Sequence, residues 1–409
     1  MLGKNHLIDL SLLRHNRNYR LLYLGQFISF MGGMITYVAL PYQIYHQTHS
    51  TLLIGLLSLF QLLPVLITAL FGGILADRHH RRKLLIIAEA LLSIGSLALA
   101  LNAMQAKPSI LAVFIIAPAI AAILGLHRPS LVSITQQIVK KEDFAAASAL
   151  KTFMYSISMI TGPALGGLII AHFGLVNAFI VDFMSFFVSF IAILLLRDIP
   201  KPTRLTDQSA FSSLKQAYNY AKSKHELLGT YFVDFTAMLF GTPTCLMPAI
   251  AQHFNGVKTL GMLYSAPAVG ALIISFFSGW TRKVKRHGAM VAVAAILWGI
   301  AISLFGLSKN LWLALFFLML SGLFDAISGI FRGIIWNEAV PNNFRGRMSG
   351  IEMLSYLSGP KLGDTEAGLV ASAIGVTASI VTGGILCVFA VTACCLFLPK
   401  FWHYKPPKN

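Results

Sequence analysis

The chain has 409 residues, is 56% hydrophobic and only 11% charged, and carries a formal net charge of +17 at a mean hydropathy of +0.73. A soluble domain would have about a quarter of its residues charged, so a soluble globular protein is excluded. The basic excess is not a nucleic-acid signature, because of where it falls along the chain.

Twelve apolar segments reach the roughly 20 residues needed to cross the hydrocarbon core: 20–43, 52–76, 84–105, 108–130, 146–172, 175–196, 227–252, 259–280, 288–308, 311–336, 347–372 and 375–399. They are neither short nor alternating, as barrel strands would be. The fold expected is therefore an all-α membrane protein of twelve transmembrane helices. The leader MLGKNHLIDLSLLRHNRNYR lacks the apolar core of a cleavable signal and reads as a surface helix entering the first span. With Met1 placed inside, three basic residues fall in outer loops (Lys107, Lys258, Lys309) and four within helices (Arg128, Lys151, Arg332, Lys361). The rest of the 32 lie in inner loops and tails. That bias is the positive-inside pattern. It sets both termini in the cytoplasm of a bacterial-type inner membrane and makes anionic lipid the partner of the basic loops.

The polar stretch Arg197–Glu226 divides the chain into an N-terminal six-helix half (1–196), a cytoplasmic linker (197–226) and a C-terminal six-helix half (227–409). The halves show faint self-similarity. GGILADRHHRRKLLI after the second span answers SGWTRKVKRHGAMVA after the eighth, and QQIVKKEDFAAASAL answers NEAVPNNFRGRMSGI. Duplicated six-helix units are an arrangement of transporters that bind substrate near the midplane.

Charges inside spans are the next signal, because each costs about 3 kcal/mol at the bilayer centre. In GPKLGDTEAG, Lys361 and Asp364 are three apart and able to pair, while Glu366 points about 200° away from Asp364. Asp234 lies in span seven and Asp325 in span ten, with Arg332 two turns further on the same face. Asp234, Asp325, Asp364 and Glu366 are the candidate proton-coupling groups, with Lys361 and Arg332 as their pairing cations. Glu89 and Asp182 read as structural. Tyr23, Phe27, Phe30 and Tyr37 form a stripe along span one. With Gln26, Phe235, Phe324 and Tyr356 they are the candidate substrate contacts. The four cysteines all fall in helices and show no metal-ligand spacing, so neither a metal nor a cofactor is expected. No phosphate-cradling loop is present, which leaves an ion gradient as the driving force. No enzyme signature appears.

Several motifs resemble the major facilitator superfamily. GGILADRHHRRK is similar to its conserved loop between helices two and three, through Gly73, Leu75, Asp77, Arg78, Arg81 and Arg82, with His80 in place of a glycine. The resemblance implies a cytoplasmic gate built from Gly73, Asp77, Arg78, Arg81 and Arg82, with Arg128 able to join it. TGPALGG resembles the exporter motif G-P-x-x-G-G through Gly162, Pro163, Gly166 and Gly167, where the small residues imply tight helix packing. LGDTEAG, HSTLLIGLLSL and RPSLVSITQQIV resemble the enterobactin-exporter-like branch. In that superfamily helices one, four, seven and ten line the cavity. The resemblance implies a monomeric secondary exporter using proton antiport and alternating access, with a siderophore or related chelator as small-molecule substrate. Multidrug or macrolide efflux and lysolipid handling are the alternatives.

Overall fold

Residues 10–78, 80–197, 210–254, 256–341 and 344–405 are described by the structure, a computed structural model. Twelve long helices run in chain order: α1 (Arg17–Thr48), α2 (Thr51–Arg78), α3 (Arg81–Ala103), α4 (Ile110–Ile138), α5 (Phe144–Phe173), α6 (Leu175–Leu194), α7 (His225–Gly241), α8 (Val257–Phe276), α9 (His287–Leu307), α10 (Leu311–Ala339), α11 (Arg345–Ile374) and α12 (Val376–Phe397). Among the described residues, eleven segments are long and apolar enough to span a membrane by length and composition. The helix missing from that set is α11, whose charged centre lowers its hydropathy. The short helix Ser11–His15 stands where the leader was expected to be helical. Of the expected linker, residues 198–209 lie outside the described residues, and Ala210–Ser223 is helical.

Span seven departs from the uniform helix its apolar run suggests. α7 stops at Gly241, Thr242 turns extended, a 3-10 turn covers Thr244–Leu246, and helix resumes as Met247–His253. Pro243 has no amide hydrogen and pushes the residue before it out of the α region. The break is therefore written in the Thr242–Pro243 pair. Elsewhere prolines sit within continuous helices, at Pro41, Pro64, Pro163 and Pro360 among others.

The chain divides into two compact units, Met1–Gln43 with Leu63–Thr206, and Ile44–Leu62 with Asp207–Asn409. In the first, the exporter motif brings α1 and α5 into backbone contact. A Cβ added at Gly166 would sit 3.3 Å from the Ile35 Cα, and one at Gly162 would overlap the Met34 side chain. Ser158, Gly162, Pro163, Gly166 and Gly167 are all buried on this face.

In the second unit the N-terminal part of α2 lies along α11. A Cβ on Gly55 would be 2.9 Å from the Asp364 carbonyl oxygen and 3.2 Å from the Gly368 Cα. Thr51 donates to the Gly368 carbonyl (3.2 Å) and Thr365 to the Gly55 carbonyl (3.1 Å). This register explains why 44–62 groups with the second unit.

The chain's last helical turn, Pro399–Trp402, tucks Phe401 fully out of solvent. Its ring fills the space left by Gly229 on α7, and its carbonyl lies against Gly288 on α9. Beside it Tyr404 donates to Glu338 at 3.1 Å. Partial burial, then the Glu338 carboxylate, raises the Tyr404 phenol well above its ordinary range. Truncating Phe401 to Ala removes an aromatic from a closed slot and is expected to cost about 3–5 kcal/mol. Thermal unfolding of the purified protein in detergent checks this, and a midpoint equal to wild type would show the turn to be undocked.

Candidate functional site

Asp364 is the best-held acid in the second unit. It is 8% exposed, although it lies mid-helix in α11. The α7 break supplies its main partner, because the freed backbone N–H of Cys245 donates to Asp364 Oδ1 at 2.8 Å. Ser58 on α2 donates to Oδ2 at 3.2 Å, and the Cys245 thiol donates to the Asp364 backbone carbonyl at 3.0 Å. Lys361 turns to α2 and donates to Gln61 Oε1, rather than closing a pair with Asp364. The spacing Ser58/Gln61 on α2 matches Lys361/Asp364 on α11, one helical turn on each side. Glu366 is half-buried and has no hydrogen bond or ion pair among the described residues. Its separation from Asp364 by two positions turns it away from Ser58 and Cys245.

A second charged centre lies between α7 and α10. Arg332 pairs with Asp234 across the two helices and with Asp325 at 3.4 Å along its own. The Asp234 side chain is 14% exposed and that of Asp325 39% exposed. Arg332 Nε is buried without a hydrogen-bond partner among the described residues. The seven-residue spacing in α10 revealed the Arg332–Asp325 proximity. It carried no sign of the stronger cross-helix pair with Asp234.

The other substrate candidates divide. Tyr23 and Phe27 stack along α1 with centroids 6.3 Å apart, and the Tyr23 hydroxyl donates to the Leu150 carbonyl at 3.1 Å. Phe30 packs edge-on against Tyr155 of α5 at 4.4 Å. Tyr23 and Phe30 thus reach α5, while Phe27 stacks within α1. Tyr37 and Tyr356 are exposed, and Phe235 and Phe324 are half-buried on α7 and α10. Gln26 is buried among polar side chains, bonded to Glu89 (2.6 Å) and Ser189 (3.0 Å).

Of the expected gate, the side chains of Gly73, Asp77 and Arg78 lie outside the described residues. Arg82 is described. It donates to the last carbonyls of α6, to Ile193 at 3.3 Å and Leu194 at 2.6 Å. A cation there meets the negative end of the helix and its unpaired carbonyls. Arg81 also makes contacts of its own, and Arg128 is exposed at its place in α4. Sequence reasoning missed Ser58, Gln61, the Cys245 amide and His127. The first three partner a span charge from afar. His127 sits beside Arg128 and was read through its neighbour. Among the described residues no group of three or more metal-ligating side chains forms.

The chain is similar to known proteins along most of its length. The enterobactin exporter EntS of Citrobacter koseri is 26% identical over 402 residues, covering 98% of this chain and 96% of that protein. EntS of Salmonella typhi is 27% identical over 359 residues, covering 87% of this chain and 86% of that protein. Among solved structures, the nucleoside transporter NupG superposes with a TM-score of 0.77 at 13% identity, covering 93% of this chain and 99% of that one. A bacterial homologue of the human lysosomal transporter Spinster gives 0.75 at 15% identity, covering 95% and 98%. At those identities the structures share the fold. The profile of the transmembrane secretion effector family matches residues 9–404, nearly the whole chain. The chain is therefore a multi-pass membrane transporter and not an enzyme, and it belongs to the transmembrane secretion effector family of the major facilitator superfamily, on its enterobactin-exporter-like side.

Proposed function

We propose that this protein exports a siderophore or closely related metal-chelating metabolite by proton antiport. It works as a monomer in a bacterial inner membrane with both termini in the cytoplasm. Two six-helix halves, 1–196 and 227–409 joined by the 197–226 linker, alternate access to the substrate. The observation that carries the coupling is Asp364. A carboxylate buried in mid-span, held by one amide and one hydroxyl and approached by Lys361, is costly unless it serves an ion path. Both of its oxygens accept from neutral groups. Proton uptake at one oxygen therefore needs no rearrangement beyond rotation of the Ser58 hydroxyl, which both donates and accepts. Glu366, Asp325 and Asp234 are the further candidates to carry the proton. Glu366 is the one among them with no bonded partner among the described residues.

Curated relatives named as enterobactin exporters, aligned over most of both chains, support the substrate class. The test is metabolite profiling under iron limitation. A strain lacking the protein is expected to retain a chelator that the complemented strain releases, and a strain carrying Asp364→Asn with Glu366→Gln is expected to match the deletion. A chelator distributed identically in all three strains would sink the substrate reading. Drug-susceptibility panels with the same strains would then address multidrug efflux.

A further inference from the structure

A second buried acid lies in the first unit, where the coupling reading does not use it. Glu89 on α3 is fully buried. Three donors from three other helices converge on its Oε1: Gln26 of α1 at 2.6 Å, Ser189 of α6 at 2.9 Å and His127 of α4 at 2.9 Å. Its Oε2 is also buried but has no partner among the described residues. His127 is itself only 6% exposed.

Helix packing alone does not explain this choice of residues. A glutamine oxygen has lone pairs for two of these donors and would tie the helices together without placing a charge in a low-dielectric interior. What the glutamate adds is an oxygen able to bind a proton, against an imidazole nitrogen able to exchange one with it. With neutral imidazole and ionised Glu89 the cluster carries one uncompensated negative charge. One proton, placed between His127 Nε2 and Glu89 Oε1, neutralises it.

Among the described residues Glu89 has no ion-pair partner besides His127. Seven residues along both helices, Ser96 of α3 and Asp182 of α6 form a second polar layer about 10 Å away. There Asp182 accepts from Thr36 (2.6 Å) and Ser96 (2.7 Å), with its Oδ1 buried and unpartnered. Arg82, seven residues before Glu89, is committed to the α6 carbonyls. Tyr23, one turn from Gln26, is committed to Leu150. Arg128, next to His127, is exposed. Ser93 and Ser185 lie between the two layers along α3 and α6 and are buried, their hydroxyls donating to the Phe183 and Asp182 carbonyls.

From this arrangement we infer that Glu89 and His127 form a proton-binding site, separate from Asp364, that takes up and releases one proton in the transport cycle. This rests on the proton-antiport reading and adds a second proton carrier to it. The test uses the purified full-length protein in lipid and follows infrared difference spectra across about pH 5 to 8. The wild type is expected to show a carboxyl band that Glu89→Gln removes and that His127→Gln moves to a different midpoint. Asp182→Asn should leave the Glu89 band in place. Glu89→Gln spectra that superimpose on wild type would overturn the site. If Glu89→Gln fails to fold, His127→Gln decides alone, and an unmoved midpoint overturns it equally. Because no transported solute is added, a negative spectrum leaves the chelator reading standing, and a failed metabolite profile leaves the proton site measurable.

Discussion

Asp364→Asn is expected to abolish uphill export while leaving the protein folded in the membrane. Asparagine keeps an oxygen for the Cys245 amide, and its nitrogen faces a Ser58 hydroxyl able to accept. The hydrogen bonds at 2.8 and 3.2 Å therefore survive in kind. What is lost is the proton-binding oxygen. Iron-chelating activity in the medium should fall to the level of the deletion strain, with an unchanged amount of protein in the membrane. Exchange of labelled solute without a proton gradient should persist, since exchange does not need the coupling proton to leave. Asp364→Glu guards against a folding defect: it keeps the titrating group but overfills a site where Gly55 and Gly368 already let the backbones touch. If Asp364→Asn exports at the wild-type rate, the coupling role passes to Glu366.

The neighbourhood of Asp364 also shows what a sequence displays and what it hides. The lysine and two acids in α11 stand out because apolar helices make every charge conspicuous. Their partners do not stand out. Ser58 and Gln61 are ordinary polar residues in α2, some three hundred positions away, and they come together through the Gly55–Gly368 approach. The Cys245 amide becomes available because Pro243 breaks the helix, and a hydropathy pattern running unbroken from 227 to 252 conceals that. Eleven of the twelve long helices were legible from apolar length alone, and α11 was legible despite a charged centre that lowers its hydropathy. Gly162 and Gly166 were legible as contact points, because close packing demands the smallest residues there. Aromatic residues carry two meanings at one spacing. The stripe on α1 has the same period whether it faces a ligand or a neighbouring helix; Tyr23 bonds to Leu150 and Phe30 packs on Tyr155, both of α5, while Phe27 stacks on Tyr23 of its own helix. Glu89 and Asp182 looked alike in sequence. The structure separates them by one residue, His127, which gives Glu89 a titratable partner that Asp182 lacks.

Arg332→Gln is expected to be among the most destabilising single changes in the second unit, by about 3–5 kcal/mol, because it strands a carboxylate in the interior without its cation. The two acids should not respond alike. Asp234, with a side chain 14% exposed, is the cross-helix partner, whereas Asp325 is 39% exposed and 3.4 Å away. That contact is the longer and the more exposed of the two, so Asp325→Asn should cost the least of the three substitutions. Asp234→Asn leaves a guanidinium that still has Asp325 beside it, and its cost should fall between those two. Combining Arg332→Gln with Asp234→Asn removes both charges and leaves two neutral amides able to bond across α7 and α10. The double variant should recover much of the stability lost by Arg332→Gln, and the size of that recovery is the coupling energy of the pair. Thermal unfolding of the four proteins in one detergent reads it directly. Additive losses would mean that Arg332 and Asp234 act independently, and the ion pair would no longer account for how α7 and α10 are held. Recovery of stability without recovery of export would give the pair a part in transport as well as in packing.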